Sequence, residues 1–513
     1  MARKYDCILI NPYFVGSSYK FGLLDLASYL RSKGYSVKII NGFLQDIKRY
    51  LKLIIKYNKN CVIGFTATTD IYEISNDICD FLKKDLKFQG PVIIGGFHAT
   101  ACKEVVLQEA LYDLVVYGEG EETLLEILNL WKADKPLNGI KGTVERRGTD
   151  IFINPARPLI ENIDDIPVWD LNADDTTNFR TFIRTSSVKN NHIFPLLMSR
   201  GCPFDCAFCA SKVLWQRRLR FHSLDYIKTL IESVVSHQRV DGFTFHDDEF
   251  LCRKDMVIGL CDWLIDSGLS KNIRWEAQAR VSTVCKSPDL LKRIKEAGCV
   301  LLRFGIESGS ERILKSLKNN TIRVEQAYKA IALCKEHGLE SFGSFIIGSE
   351  DEDLNDICQT IDFIKDSNID NAEVFTLVPY PGTDLYKRYR EKKYLEKGLS
   401  YSDFLVEGYR RLPVIRNRSF SNRELLLINT YINKYVTKPL NILKNIPERD
   451  HKKDLQEILR GDISLIEKSF IENLTEAISK MKRVLLRPRA LYNYLRYCKT
   501  KKMLKSRAKV SRI

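Results

Sequence analysis

Two stretches of this chain alternate short apolar runs with segments of helical period, and this alternation restricts the fold more than any other feature of the sequence. In the first, Cys7 to Ile10, Val37 to Ile40, Cys61 to Phe65, Val92 to Ile94 and Leu114 to Val116 read as buried strands. Between them Phe21, Leu24, Ala27 and Leu30 recur at helical spacing. In the second, the strands are Phe194 to Ser199, Gly242 to His246, Arg274 to Ala279, Leu301 to Ile306, Ser341 to Ile347 and Glu373 to Val378, each followed by a helical pattern. Strands joined through helices pair in parallel. The chain is therefore expected to be α/β, with a doubly wound parallel sheet over residues 1–140 and a partial barrel of six βα units over 193–392. Both architectures place ligands beyond the carboxyl ends of their strands.

The residues that break the apolar pattern gather at those ends. The first barrel strand runs into Arg200-Gly201-Cys202-Pro203-Phe204-Asp205-Cys206-Ala207-Phe208-Cys209, three cysteines at the spacing C-x3-C-x2-C. Four cysteines ordinarily hold an iron-sulfur cube, so three in one tight loop leave one iron with an open position. A zinc site needs a fourth Cys or His at finger spacing, and the sequence has none there. The second strand ends in His246-Asp247-Asp248-Glu249, which taken alone suits a divalent metal, an acid-base pair or an ammonium group. The third leads through Glu276-Ala277-Gln278-Ala279 to Arg280, whose guanidinium fork matches a carboxylate. Glu276 and Gln278 are expected on the barrel interior, with a structural salt bridge the competing role for Glu276. In the first sheet, Gly64, Gly95-Gly96 and Gly118-Glu119-Gly120-Glu121 fall at strand ends, where glycine lets the backbone approach a ligand.

The cysteine loop, with Phe208 between its last two cysteines, resembles the radical S-adenosylmethionine (SAM) superfamily. The resemblance implies that Cys202, Cys206 and Cys209 ligate a [4Fe-4S] cluster whose fourth iron binds SAM through its amino and carboxylate groups, with Phe208 beside it. It further implies that Asp247 or Asp248 receives the amino group and that Arg280 pairs with the carboxylate. Arg303-Phe304-Gly305-Ile306-Glu307-Ser308 resembles the family's fourth-strand signature and implies Glu307 or Ser308 at the SAM ribose. Phe345-Ile346-Ile347-Gly348 resembles the segment that packs on adenine, which brings in Gly348, and Tyr380-Pro381-Gly382-Thr383 resembles the turn that closes the sixth strand.

The first 140 residues resemble the Rossmann-like cobalamin-binding domain that precedes the barrel in a large group of these enzymes. There a Ser-x-Leu turn is followed, a little under thirty residues later, by Gly-Gly, both along the nucleotide tail of the cofactor. Here Thr66-Ala67-Thr68 precedes Gly95-Gly96 at that spacing, which implies Thr66, Thr68, Gly95, Gly96 and Gly118 as tail contacts. The family's Asp-x-His-x-x-Gly falls on Ser17, Tyr19 and Gly22, so Tyr19 replaces the His and the cobalt is expected without a protein imidazole. The competing reading is a sheet that only covers the barrel mouth. His98, near the Gly95-Gly96 turn, is assigned a structural or supporting role.

Residues 141–192 read as a hairpin, Gly142 to Ile153, followed by a linker punctuated by Pro155, Pro158 and Pro167. Residues 393–479 read as a small C-terminal α-helical region. Of the +15 formal charge, thirteen Lys and Arg without an Asp or Glu lie in the tail 480–513, leaving +2 for the rest. Bases interleaved with Tyr492, Tyr494 and Tyr497 suit peripheral contact with an anionic membrane, a nucleic acid less well, or a helix docked on the body. Scattered cysteines, no signal-peptide core and no long apolar run predict a reducing, cytoplasmic setting.

The expected function is SAM cleavage by a radical enzyme, with cobalamin-dependent methylation of an unactivated carbon of a lipid or secondary metabolite. A reducing electron donor such as flavodoxin or ferredoxin is implied. The alternatives are cyclisation or rearrangement, as in relatives resembling the anaerobic porphyrin-ring cyclase, and a non-catalytic iron-sulfur or cobalamin sensor. A tRNA methylthiotransferase is disfavoured because the cluster cysteines of its N-terminal domain are missing.

Overall fold

The computed structural model describes residues 4–13, 21–171, 192–404, 413–443 and 448–461. Tyr19, the helical pattern at 465–478 and the basic tail lie outside the described residues.

The first sheet contains β1 (Cys7–Pro12), β2 (Val37–Gly42), β3 (Val62–Thr66), β4 (Val92–Gly95), β5 (Leu114–Val116), β6 (Thr143–Arg147) and β7 (Asp150–Ile153), in the order β2-β1-β3-β4-β5-β6-β7. The first five pair in parallel, and the order reverses at β1. Helices cover both faces, so β1 is buried throughout, and strands buried on both sides are the ones that read as uninterrupted apolar runs. The hairpin belongs to this sheet: β6 pairs antiparallel with β5, and β7 with β6. The sequence predicts a hairpin here but not its place in this sheet, because the partner of its alternating residues is the edge of β5, some thirty residues upstream.

The second sheet is built from β8 (Ile193–Leu196), β11 (Gly242–Phe245), β12 (Arg274–Ala279), β13 (Cys299–Glu307), β14 (Glu340–Ile347) and β15 (Asn371–Thr376), all parallel, in the order β15-β14-β13-β12-β11-β8. A short antiparallel ribbon, β9 (Ser199–Arg200) with β10 (Arg220–Phe221), flanks the cysteine loop. Phe243, Phe245, Trp275, Ala277, Phe304 and Phe345 are buried against the outer helices. Thr244, Glu276, Gln278, Arg303 and Ser344 take the alternate face, since successive strand residues point to opposite sides.

The two sheets share a core. Leu23, Leu24, Ala27 and Leu124 of the first unit and Phe194, Leu196 and Phe243 of the second form one continuous apolar cluster. Trp169 of the linker packs between Phe21 (5.7 Å) and Phe194 (6.4 Å). At the far edge, the helices Asn422–Ile432 and Lys438–Leu443 and the π-turn between them close β15 with amides. Val374 O accepts from Asn429 (3.0 Å) and Asn433 (2.8 Å), and Asn441 bonds both Ala372 N (2.9 Å) and Ala372 O (3.0 Å). An edge strand presents unpaired backbone groups, and here side chains satisfy them. Among the described residues, no helix is long and apolar enough to cross a membrane.

Candidate functional site

The cysteine loop starts from a conformation only glycine tolerates. Gly201 has φ +96°, and a Cβ there would stand 2.1 Å from Arg218 O. The loop is then pinned from elsewhere, Ala207 N donating to Leu317 O (2.9 Å) and Leu385 N to Ala207 O (3.0 Å), and closed within itself by Cys209 N donating to Cys206 O (3.2 Å). Cys206 is buried, Cys202 and Cys209 half-buried. Burial pushes the Cys202 thiol up to about 12 and the Cys209 thiol up to about 11, so these sulfurs become thiolates only against a cation.

Among the described residues, no three Cys, His, Asp or Glu side chains converge as a single-ion site requires. A cube does not ask for convergence, because each of its ligating cysteines takes a different iron. Three thiols in one loop therefore fit a cluster.

Around the loop stand cations. Arg280 Nη1 lies 3.6 Å from Cys206 Sγ, its guanidinium lies 3.9 Å above the Phe204 ring, and it also bonds Thr321. Lys318, which sequence reasoning missed, is buried with its ammonium 2.7 Å from Glu307 and 5.4 Å from the Phe208 ring centre. Burial works against the Lys318 charge, but Glu307 and the Cys206 sulfur outweigh it and hold the proton. No sequence pattern announces this lysine, which closes an ordinary amphipathic helix, Glu311–Lys318.

The carboxylates at the end of β11 separate by environment. Asp247 is fully buried and accepts from Met198 N (3.0 Å) and Ser199 Oγ (2.5 Å), bracing the junction from which the cysteine loop leaves. Asp248 is exposed and accepts from Ser211, at the start of the helix after the loop, and desolvation of its carboxyl raises it above the ordinary range. Glu249 is buried, its Oε1 lacks a hydrogen-bond partner, and burial pushes it to about 8 despite Arg280 nearby.

At the end of β13, Glu307 sits at φ +69°, its carboxylate tied to Lys318, while Ser308 is buried with its hydroxyl 3.2 Å from Thr360 Oγ1. Gly348, at φ +94°, donates its N–H to the buried Glu352, which also accepts from Ser349 N (3.1 Å). Glu276 accepts from Thr244 Oγ1 (3.2 Å) and Arg303 Nη2 (3.1 Å), which makes it one end of a salt bridge inside the barrel.

Burial pushes Asp247 to about 7 and Glu352 to about 8. Both carboxyls keep protons in the fold that the unfolded chain releases near its ordinary value of about 4. The folded state then binds more protons than the unfolded one, so stability falls as pH rises from about 4 through these values, by at most about 1.4 kcal/mol per unit per group. Urea midpoints are expected to be lower at about pH 8 than at about pH 5, and Asp247→Asn, which keeps its acceptor but not its proton equilibrium, should flatten part of the slope.

The first sheet ends on the same side. Thr66 and Gly95 close β3 and β4. Gly96 has φ +94°, and a Cβ there would meet Thr66 Oγ1 at 2.9 Å. Gly118 has φ +78° with nothing within 4 Å of where a Cβ would stand, so its turn faces open space. Thr68 is exposed and bonds Asp70 (2.6 Å). These residues fit a flat ligand laid along the strand ends. His98 is buried between the rings of Tyr72 (4.1 Å) and Tyr401 (4.7 Å), with Nδ1 3.2 Å from Thr69 Oγ1; burial lowers it to about 3, so it is a neutral packing group. Gly382, of the turn after β15, would meet Ala101 of the first unit (3.0 Å) and Val213 of the cysteine-loop helix (3.2 Å) if it carried a Cβ.

The comparisons with known proteins follow this division. Residues 196–364 match the radical SAM superfamily, and residues 10–128 match the B12 binding domain. Over 457 residues, 86% of this chain and 92% of the relative, the sequence is 32% identical to an uncharacterized methyltransferase of Pyrococcus horikoshii. The chain belongs to the cobalamin-binding radical SAM family. It is also 28% identical, over 68% of its own length and 55% of the relative's, to the anaerobic magnesium-protoporphyrin IX monomethyl ester cyclase of Cereibacter sphaeroides. In fold it is similar to the radical SAM methyltransferase TsrM of Kitasatospora setae, solved with cobalamin and a [4Fe-4S] cluster bound (TM-score 0.63, 16% identity, 76% of this chain and 75% of that one). This radical SAM protein is an enzyme of methyltransferase type, and its cofactors are a [4Fe-4S] cluster, SAM and cobalamin.

Proposed function

We propose that this radical SAM enzyme methylates a carbon atom of a small polar molecule held between the cysteine loop and the glycine turns of the first sheet. The observation that carries the reading is the joining of those two places. Arg200, two residues before Cys202, is bonded to Glu119, the residue after Gly118, at 2.8 Å. Cluster and cobalamin, when bound, supply the carbon-centred radical and the methyl group.

The chain's own residues bind and orient. Cys202, Cys206 and Cys209 hold three irons. Asp248, the exposed one, is the better of the two aspartates for the SAM ammonium, since Asp247 is engaged by Met198 and Ser199. Arg280 stands beside Cys206, where a carboxylate on the neighbouring iron would meet its fork. Phe208, Glu307, Ser308 and Gly348 line the adjoining strand ends, and Lys318 holds Glu307 in place. Thr66, Thr68, Gly95, Gly96 and Gly118 receive the cobalamin tail. The inward row of Thr244, Glu276, Gln278, Arg303 and Ser344 favours a substrate with hydrogen-bonding groups, a secondary metabolite over a lipid. Reduction requires an external electron donor, in the class of flavodoxin or ferredoxin.

The test is purification with hydroxocobalamin followed by product analysis under reduction. Methyl transfer yields both S-adenosylhomocysteine and 5′-deoxyadenosine. 5′-Deoxyadenosine alone would favour ring formation, the activity in the name of the 28% identical cyclase. Gly96→Ala forces an L side chain into φ +94°, ψ −170°, a region essentially confined to glycine, against Thr66, a cost of about 1–3 kcal/mol before the clash. It should reduce bound cobalt about tenfold or more while leaving iron unchanged. Full cobalt loading of that variant would remove the tail from this site.

A further inference from the structure

The Arg200–Glu119 bond that joins the two ligand sites is part of a larger buried ionic cluster. Arg200 donates from Nη1 to Glu119 (2.8 Å) and from Nη2 to Asp25 (2.6 Å) and Glu121 (2.7 Å). Arg220, its cross-strand neighbour in the β9–β10 ribbon, donates two further bonds to Glu119 (2.9 and 3.0 Å) and one to Ile160 O (2.6 Å). Glu119 also accepts from Ile160 N at 2.7 Å, and Asp25 from Trp169 Nε1 at 2.6 Å. All five charged residues are buried. The three carboxylates come from the first unit and the two guanidiniums from the barrel. Burial works against the Glu119 charge, but Arg220 and Arg200 outweigh it and hold its carboxyl below the ordinary range.

The geometry ties this cluster to both ends. On one side, Gly118 donates its N–H to Thr100 Oγ1 (3.1 Å), in the helix that follows Gly95-Gly96, so the Gly118 turn and the Gly96 turn are hydrogen-bonded together. On the other, Arg200 is followed directly by Gly201, whose left-handed backbone packs on Arg218 and launches Cys202. Four hydrogen bonds fix the Glu119 carboxylate, leaving little slack in the path.

We propose that Glu119 is a positioning residue that couples the cobalamin site to the SAM site. A displacement of the Gly118 turn on cobalamin binding moves the Glu119 carboxylate, Arg200 follows it, and the cysteine loop changes its pose toward SAM. The inference rests on the placement of the cobalamin tail at the Gly118 turn. Coupling between two binding sites is reciprocal, so hydroxocobalamin must change the SAM Kd by the same factor as SAM changes the hydroxocobalamin Kd, typically about 5–150-fold.

The experiment measures SAM affinity of the anaerobically reconstituted full chain with and without hydroxocobalamin, and records the EPR spectrum of the reduced cluster in both states. In the wild-type protein, hydroxocobalamin should shift both the affinity and the spectrum. In Glu119→Gln, which keeps size but loses the charge that grips Arg200, both ligands should still bind and the factor should fall toward one. Glu161→Gln removes an exposed partner of Arg218 at the same interface and should leave the factor unchanged. If Glu119→Gln does not retain its iron, Arg220→Lys replaces it, because lysine keeps the charge but not the fork. An undiminished factor in the variant that retains iron, or a wild-type SAM affinity indifferent to bound hydroxocobalamin, overturns the coupling. A wild-type protein that binds no hydroxocobalamin overturns the placement of cobalamin as well, which separates the two failures.

Discussion

Replacing Cys206 with alanine is expected to lower bound iron to background and 5′-deoxyadenosine formation by at least about 10³-fold, the loss of roughly 4 kcal/mol of barrier lowering. The expectation comes from position as much as from residue type. Cys206 is the buried member of the trio, with Arg280 at 3.6 Å from its sulfur, so no solvent thiol can replace it from outside. Alanine keeps the backbone of the loop, including the Ala207–Leu317 and Cys209–Cys206 hydrogen bonds, and the protein should fold. The check is an iron assay and visible spectrum alongside product quantitation after anaerobic reconstitution. Iron and spectrum unchanged from wild type would mean that these three cysteines are not the cluster ligands. Cys261→Ala, which removes a thiol buried in the apolar core, should leave the iron content unchanged and lose only packing, about 1–3 kcal/mol.

The parts of this architecture that announce themselves in sequence are those whose signal is local. Strands buried on both faces read as continuous apolar runs, and the cysteine loop, Gly95-Gly96 and Pro381-Gly382-Thr383 carry their geometry in adjacent residues. What escaped depends on contacts between distant segments. Glu119 and Glu121 lie in a glycine-rich turn and read as a ligand loop, because the arginines that hold them are about 80 to 100 residues away. Lys318 reads as the exposed end of a helix until β13 brings Glu307 against it. The Asp247-Asp248-Glu249 run could not be divided from sequence, since successive residues at a strand end differ only in the direction they face. The hairpin was legible as a hairpin, but its attachment to β5 was not: alternation fixes which residues share a face and says nothing of which edge receives them.

Arg200→Ala should be the most destabilising single change at the domain interface, by about 3–5 kcal/mol, the range observed when one partner of a buried ion pair is removed. Its loss leaves Asp25 and Glu121 without a guanidinium and Glu119 with Arg220 alone. Burial already pushes Glu121 up, and its Oε2 has no partner, so the variant should relieve the strain by holding additional protons in the folded state. Carboxyls raised in the fold lose stability as pH rises above their unfolded value of about 4.3. The deficit of Arg200→Ala should therefore widen from about pH 5 to about pH 8, a range over which loss of an exposed ion pair, its carboxylate ionised throughout, would leave the deficit flat. Adding Glu119→Gln to Arg200→Ala removes a partner that the single variant has already cut off from Arg200, and the double variant should fall short of the sum of the single losses by about 1 kcal/mol or more. Chemical unfolding of the four proteins at both pH values provides the full cycle. Strict additivity would show that Arg200 and Glu119 do not act on one another. A deficit that narrows with rising pH would show that the remaining carboxylates find solvent when the guanidinium is gone, and the interface would then owe its rigidity to the shared apolar core around Trp169 and Phe194.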